Sequence, residues 1–481
     1  MESVWSSEVN FRKRETLNQD IQCDILVIGA GMAGLLTAYM LNKSGRDVVV
    51  IDARSIAGGV TKNTTAKITS QHELIYDKLI KEFGEDGASQ YARANELAIR
   101  RYKEIIDVEK IDCDFEHKDA YLYTSDNIKE IEDEYNAAKR LEIDAEIVDE
   151  VNIPIKAKKA LKFKNQAQFH PLKFLRSISE QLTIYENTVA LDITEDNTVV
   201  TKNDMKIKAN KIVVASHYPF LNTPGYYFMR MHQERAYAIA LENAQDVKGM
   251  YKGIDQNTYS FRNYKNLLIL DGAARRTGEN EEGGAYEELR KFAKEFYPNA
   301  TEKYHWSTQD CMTLDNIPYI GHYSSKTPNI YVETGFKKWG MTTSMVAAMI
   351  IRDMILEKEN DFSEIFSPRR FDMSASMKNA AKDLVITAKN FIAERINIPE
   401  ETLSSIENGH GGIIEYKGQK AGVYKDNEGK VYTVSTKCAH LGCELKWNAD
   451  DLTWDCPCHG SRYNYEGIWI ESPTNKCLHE V

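Results

Sequence analysis

Two short boxes near the C-terminus, Cys438-Ala-His440 and Cys456-Pro-Cys458-His459, place two cysteines and two histidines on either side of a fifteen-residue spacer. Side chains that ligate a metal must converge on one point. The chain around them therefore has to fold back as two facing loops, which short strands and tight turns can hold. Of the eight cysteines, Cys438, Cys443, Cys456 and Cys458 fall within 21 positions, whereas Cys23, Cys113, Cys311 and Cys477 are scattered as isolated core thiols are. Two thiolates and two imidazoles suit either a structural zinc ion or a two-iron cluster with both histidines on one iron. From Leu403 onward the chain reads as short strands and turns, with Gly411 to Gly418, Lys420 to Lys425 and Lys430 to Ser435 separated by turn residues such as Asp426 to Gly429. These are the hairpin signals of a small β domain.

A second pattern lies at the other end. Asp24-Ile-Leu-Val-Ile-Gly29-Ala-Gly31-Met-Ala-Gly34 is followed by the helical run Leu35 to Lys43 and by Asp47-Val-Val-Val-Ile-Asp52. Strand, glycine turn, helix and strand form a dinucleotide-binding unit. Gly29 makes the tight turn, Gly31 admits a pyrophosphate, and Gly34 lets the helix pack on the strand. Asp52, at the end of the second strand, is placed to bond both hydroxyls of an adenosine ribose.

Composition excludes several classes. A length of 481 residues suggests two to four domains, and 42% hydrophobic with 28% charged residues is ordinary for a folded globular chain. The net charge of −11 disfavours a phosphate-backbone binder, so no nucleic acid is expected. No apolar run reaches the roughly 18 residues of a membrane span. Met341 to Leu356 comes nearest and is broken by Arg352 and Asp353, and the N-terminal stretch lacks a signal-peptide core. A cytoplasmic location without a transmembrane segment is the expectation.

The loop after Asp52, Ala53-Arg54-Ser-Ile-Ala-Gly58-Gly59 through Thr64-Thr65-Ala66-Lys67, resembles that of FAD enzymes in the D-amino-acid oxidase and glycine oxidase superfamily. So do Lys211-Ile-Val-Val-Ala-Ser216, Asp315-Asn-Ile-Pro318-Tyr-Ile-Gly321, and the segment from Asn329 through Gly335 and Gly340 to Met341. The resemblance covers about the first 365 residues. It implies a Rossmann-type α/β FAD-binding domain with an antiparallel β-sheet substrate domain. Cofactor contacts would come from Gly29, Gly31, Gly34, Asp52, Ala53, Arg54, Thr64, Thr65, Ala66, Lys67, Val189, Gly335, Gly340 and Met341. Residues 1–370 would form this oxidoreductase, with FAD-binding parts at about 20–75, 160–220 and 310–360 and substrate parts at about 76–159 and 221–309. A connecting helix is expected over 371–402.

Residues 403–481 resemble the Rieske family, which implies a [2Fe-2S] cluster on Cys438, His440, Cys456 and His459. In the high-potential Rieske proteins the residues matching Cys443 and Cys458 form a disulfide. Those matching Ser461 and Tyr463 carry hydroxyls that bond the cluster and cysteine sulfurs. No second glycine-rich nucleotide unit appears between Ile111 and Asn329, so electrons are expected to come from a small organic substrate rather than a nicotinamide. Hydride transfer to a flavin needs position and exclusion of water more than a strong acid or base, and leaves few marks in sequence. By place, His72, Arg275, Arg276 and Gln309 are candidates. Many amino-acid oxidases carry a carboxylate-gripping arginine near the position of Gln309, and this departure argues against a simple amino-acid substrate. The expected function is oxidation of an amine or amino-acid-like compound, with electrons leaving through the cluster to an external protein or quinone. The alternative is a non-enzymatic flavin and iron-sulfur electron carrier or redox sensor.

Overall fold

Val48–Ile51 is four buried aliphatic residues in a row, and the last four residues of Ile21–Ile28 are buried as well. Strands that are apolar on both faces belong inside a parallel sheet covered by helices. In the computed structural model, which describes residues 2–370 and 402–481, they do. The first sheet has eight strands. Its main path runs Tyr319–His322, Ile330–Thr334, Lys206–Val214, Ile21–Ile28, Val48–Ile51 and Thr183–Tyr185, with a hairpin of Ala190–Ile193 and Thr198–Thr201 beside Lys206–Val214. All neighbours among the inner strands are parallel, and Tyr319–His322 closes one edge antiparallel. Helices Met32–Lys43 and Gly340–Ile355 are buried along most of their length and pack on one another over this sheet.

A nine-stranded sheet forms the second layer. Its path is Thr301–Thr313, Met231–Glu242, Leu267–Arg276, Ser260–Tyr264, Met250–Gly253, Glu116–Thr124, Lys159–Gln168 and Lys67–Ile68. It departs from the expectation of a purely antiparallel sheet at one pair, Met250–Gly253 beside Glu116–Thr124, which is parallel. Lys159–Gln168 also belongs here and not, as its position in the sequence suggests, with the FAD-binding parts. Its alternating pattern fits any half-buried sheet, and only its partners, Glu116–Thr124 and Ala145–Val148, settle which one. At the edge of this sheet, register decides which side chains share a face. Gln233 faces Cys311, Arg235 faces Gln309 and Tyr237 faces Ser307, while the intervening pairs are Glu234 with Asp310 and Ala236 with Thr308. Alternate pairs point to opposite faces.

The C-terminal region is built from two antiparallel sheets. One holds Gly411–Tyr416, Gln419–Lys425 and Val431–Val434; the other holds Lys446–Asn448, Thr453–Asp455, Arg462–Asn464 and Trp469–Glu471. Tyr424, Val434, Leu445, Trp447, Trp454 and Tyr463 fill its core. The expected connecting helix lies outside the described residues.

Candidate active site and cluster pocket

A cavity opens where Ile21–Ile28 ends, walled by Gly29, Gly31, Asp52, Ala53, Arg54 and Val189, by Thr64 and Thr65 of the following loop, and by Gly335, Gly340 and Met341 opposite. A Cβ on Gly29, whose φ is +120°, would fall 2.4 Å from the Ala215 carbonyl oxygen; on Gly34 it would fall 1.9 Å from the Gly29 oxygen. The first helix can lie on its strand only because Gly34 has no side chain. Asp52 Oδ2 accepts the Ala30 N–H at 2.7 Å and Oδ1 accepts the Arg54 N–H at 2.8 Å. Burial pushes its pKa up against those two hydrogen bonds. Ala66 and Lys67 are not among the walls of this cavity. Lys67 Nζ instead meets the Ser260 hydroxyl and lies 3.7 Å from Asp271 Oδ2, both on the second sheet.

Two helices begin at the cavity uncapped. Gly31 precedes Met32–Lys43 and Trp339 precedes Gly340–Ile355; neither start has a side-chain cap or an acidic residue in its first turn. The Met32 N–H donates to the Thr61 hydroxyl at 3.1 Å, but the positive ends of two helix dipoles still border one space, which fits a cofactor with two phosphates and a ring that gathers negative charge on reduction. Beside it Glu333 is buried. Its Oε1 accepts the Thr37 hydroxyl at 2.6 Å, its Oε2 has no partner, and burial pushes its pKa up to about 8.

The second sheet supplies the facing wall through Ala236, Ala238, Asp271, Trp306, Thr308 and Asp310. No hydrogen-bond donor reaches the Asp310 carboxylate among the described residues. Burial pushes its pKa up to about 7, with Glu234 and Asp271 adding to the rise and Lys338 and Arg235 opposing it. The candidate expected from sequence, Gln309, is one residue short of it. Neighbours on a strand face opposite ways, and Gln309 points to the other side of the sheet. There its amide nitrogen donates to Gln233 Oε1 and to the Gly460 carbonyl, both at 2.8 Å.

The other candidates are placed differently. His72 is buried, with Nε2 2.7 Å from the Thr69 carbonyl and Nδ1 2.7 Å from the Tyr91 hydroxyl, and it stacks on Trp339. Donation from Nε2 to the carbonyl leaves Nδ1 as acceptor, and burial drives the pKa down to about 3. A neutral ring with both nitrogens engaged is a support for the wall. Arg275 Nη2 lies 3.4 Å from Glu288. Arg276 Nε donates to the Pro457 carbonyl at 3.1 Å, which puts it on a loop of the C-terminal domain.

In that domain Cys438 and His440 sit on one loop, Cys456 and His459 on the other. The two imidazole centroids are 5.1 Å apart and the two sulfurs are in hydrogen-bond contact. The contact lowers the Cys438 pKa and raises that of Cys456, because one thiolate between the two sulfurs is stabilised by the other's S–H. His440 Nε2 lies 2.7 Å from Asn222 Oδ1, which makes Nε2 the donor; Nδ1 is buried with no hydrogen-bond partner. A buried lone pair beside two ionisable sulfurs fits an iron ligand set. A disulfide joins Cys443 to Cys458 and ties the loops together. Although Cys443, Cys456 and Cys458 lie within 4.8 Å of one another, the disulfide removes two of them as thiolates. The Tyr463 hydroxyl is 3.4 Å from Cys438 Sγ and accepts the Ala439 N–H at 2.9 Å, and the Ser461 hydroxyl also bonds Cys438.

The cluster loops are docked on the outer face of the same sheet that walls the first cavity. Gln233 Nε2 donates to the His459 carbonyl at 2.7 Å, and Phe228 presents its ring to both histidines. Arg235 pairs with Asp451 at 2.5 Å and with Glu471 at 3.4 Å; Arg462 pairs with Asp451 at 2.9 Å and with Asp455 at 2.8 Å. Opposite charges share this interface almost without water. Arg54 Nη1 donates to the Ile470 carbonyl at 2.7 Å, and Trp469, Ser472 and Asn475 form part of the wall of the first cavity.

Residues 24–354 match the FAD dependent oxidoreductase family, and residues 399–481 match the Rieske [2Fe-2S] domain. A putative Rieske 2Fe-2S iron-sulfur protein, YhfW, of Bacillus subtilis is 39% identical over 100% of this chain and 97% of its own length. Gamma-glutamylputrescine oxidoreductase of Escherichia coli is 21% identical over 71% of this chain and 85% of its own. Among solved structures, glycine oxidase from Geobacillus kaustophilus superposes with a TM-score of 0.62 at 16% identity, covering 73% of this chain and 99% of that one.

Proposed function

The chain belongs to the FAD-dependent oxidoreductase family and ends in a Rieske [2Fe-2S] domain, and on that premise we propose that it oxidises a small amine-bearing substrate and passes the electrons through its cluster to an external acceptor. The observation that carries this reading is the shared sheet. Its inner face walls the flavin cavity with Asp310 and Thr308, and its outer face holds the cluster loop through Gln233 and Gln309. Only this sheet lies between Asp310 on the cavity side and the Gln233 and Gln309 contacts to the cluster loop. The names of the two relatives, an oxidoreductase for a polyamine derivative and an oxidase for an amino acid, support an amine. No helix among the described residues is long and apolar enough to cross a membrane; the reading assigns the protein to the cytoplasm.

When bound, FAD supplies a two-electron acceptor and the cluster a one-electron acceptor. The chain's own residues prepare the substrate. An amine arrives as an ammonium ion and must lose a proton before its nitrogen lone pair can assist loss of the neighbouring C–H. Asp310 has no competing donor and a pKa near 7, which suits it to take that proton at neutral pH. Trp306, Ala236 and Ala238 keep the wall apolar around it. Cys438, His440, Cys456 and His459 would hold the cluster, with Asn222 orienting His440.

Anaerobic addition of amines, followed by absorbance and EPR, tests the whole reading. Two electrons to FAD and one to the cluster should require about 1.5 equivalents of substrate per chain. Bleaching of the flavin with no cluster signal would sink the relay, and absence of bleaching by any amine would sink the amine.

A further inference from the structure

A second cavity adjoins the first. It is lined by His72, Glu73, Lys78, Lys252, Asp255 and Lys337 among others, and Lys337 is the one of these that also lines the flavin cavity. The three lysines are not evenly opposed. Among the described residues none of them has a carboxylate within salt-bridge distance, although Lys67 and Lys338 nearby do, at 3.7 Å from Asp271 and 3.3 Å from Glu234. Asp255 is occupied, because its carboxylate accepts from Thr124, Ser125 and Asn127. His72 is neutral, so three lysines face two carboxylates in this lining, and Glu73 is the one of the two whose oxygens no donor occupies. The backbone at Lys337 is fixed at φ 52° with its N–H bonded to the Cys311 carbonyl, which sets where the side chain starts between the two cavities. Beyond it, toward the flavin cavity, the polarity reverses at the free carboxylate of Asp310.

Resting on the amine reading, we propose that the substrate is an amine with an anionic tail: its ammonium end meets Asp310, and a carboxylate or similar anion on its far end is held in the second cavity by Lys337 and Lys252. Each lysine gives the tail a charge-assisted hydrogen bond, and the added negative charge joins Glu73 in balancing the lysines of this lining. The same placement disfavours an uncharged tail, which would leave both lysines unpaired under it.

The test uses the holoprotein and three probes of one length: 5-aminopentanoate, pentylamine and pentanoate. Binding is read anaerobically from the flavin absorption spectrum, and flavin reduction is followed where it occurs. The wild type should bind 5-aminopentanoate at least about tenfold more tightly than pentylamine, the low end for one charge-assisted hydrogen bond. Lys337→Gln and Lys252→Gln should each remove most of that advantage through KM with little change in kcat, and Lys337→Arg should restore it. Equal affinity for the two amines, or an advantage that survives in both glutamine variants, overturns the tail site. If no amine reduces the flavin yet pentanoate perturbs its spectrum and both glutamine variants abolish the effect, the anion site stands and the amine reading falls. Bound FAD in each variant, measured first, separates a lost site from a lost fold.

Discussion

Asp310 and Glu333 are both carboxyls that burial has pushed toward neutrality, and their surroundings give them opposite consequences. Asp310 opens on a cavity and must be ionised to accept a proton, so flavin reduction should rise with pH through about 7. Lys338, Glu234, Asp271 and Arg235 all bear on that value. Asp310→Asn should lower the reduction rate by about a hundredfold or more and erase the acidic limb, as stopped-flow absorbance across pH 5 to 9 would show; a limb that persists assigns the proton to another group. Glu333 borders the same cavity, but one of its oxygens is held by the Thr37 hydroxyl and the other is buried without a partner. Its folded pKa lies above its unfolded one, so the folded chain binds the extra proton. The stability it contributes is full below the unfolded value of 4.5 and is lost as pH rises through about 8. Glu333→Gln keeps the bond to Thr37 without the charge, and its gain in Tm over wild type should be larger at pH 9 than at pH 5.

At the scale of elements, the first helix and its strand are held to one spacing by Gly34. The 1.9 Å that a Cβ would leave to the Gly29 oxygen cannot be relieved by a side-chain rotation, because the obstacle is backbone. Gly34→Ala should therefore cost about 1 to 3 kcal/mol or more by overpacking and lower bound FAD, both readable by thermal melting and flavin absorbance. This unit was legible from sequence because each glycine has a local reason. The cluster boxes were legible for a related cause, since ligand identity and spacing are local facts. What stayed hidden depends on partners far away in the chain. Gln309 and Asp310 are adjacent letters, yet strand alternation sends one to the cluster loop and the other to the flavin cavity. No feature of the sequence near Arg276 announces that it caps a carbonyl of Pro457. Lys159–Gln168 could have joined either sheet until its neighbours were known.

At the scale of the molecule, the C-terminal domain is fastened by charge. Among the described residues, Arg235 is the only cation that the flavin-domain sheet contributes to the pairs with Asp451 and Glu471, and Arg462 shares both acids from its own side. Removing one partner of a buried pair is the costly change, about 3 to 5 kcal/mol, because the remaining charge stays out of water. Arg235→Met removes one charge that holds the Asp310 pKa down, so flavin reduction should slow near neutral pH and recover at pH 9; reduction of the cluster should stay slow at both, seen as a lag between the two absorbance changes that remains widened at pH 9. An unchanged lag would mean that Gln233, Gln309 and Arg276 suffice to hold the domain.

Trp469, Ser472 and Asn475 belong to a strand and turn of the cluster domain, yet they border a cavity whose floor is laid down by Ile28, Gly29, Gly31, Met32 and Ala33. The cluster domain is thus part of what stands between the flavin cavity and solvent. A variant whose cluster domain is unseated should release FAD faster than wild type, read as the rate at which free-flavin fluorescence appears on dilution.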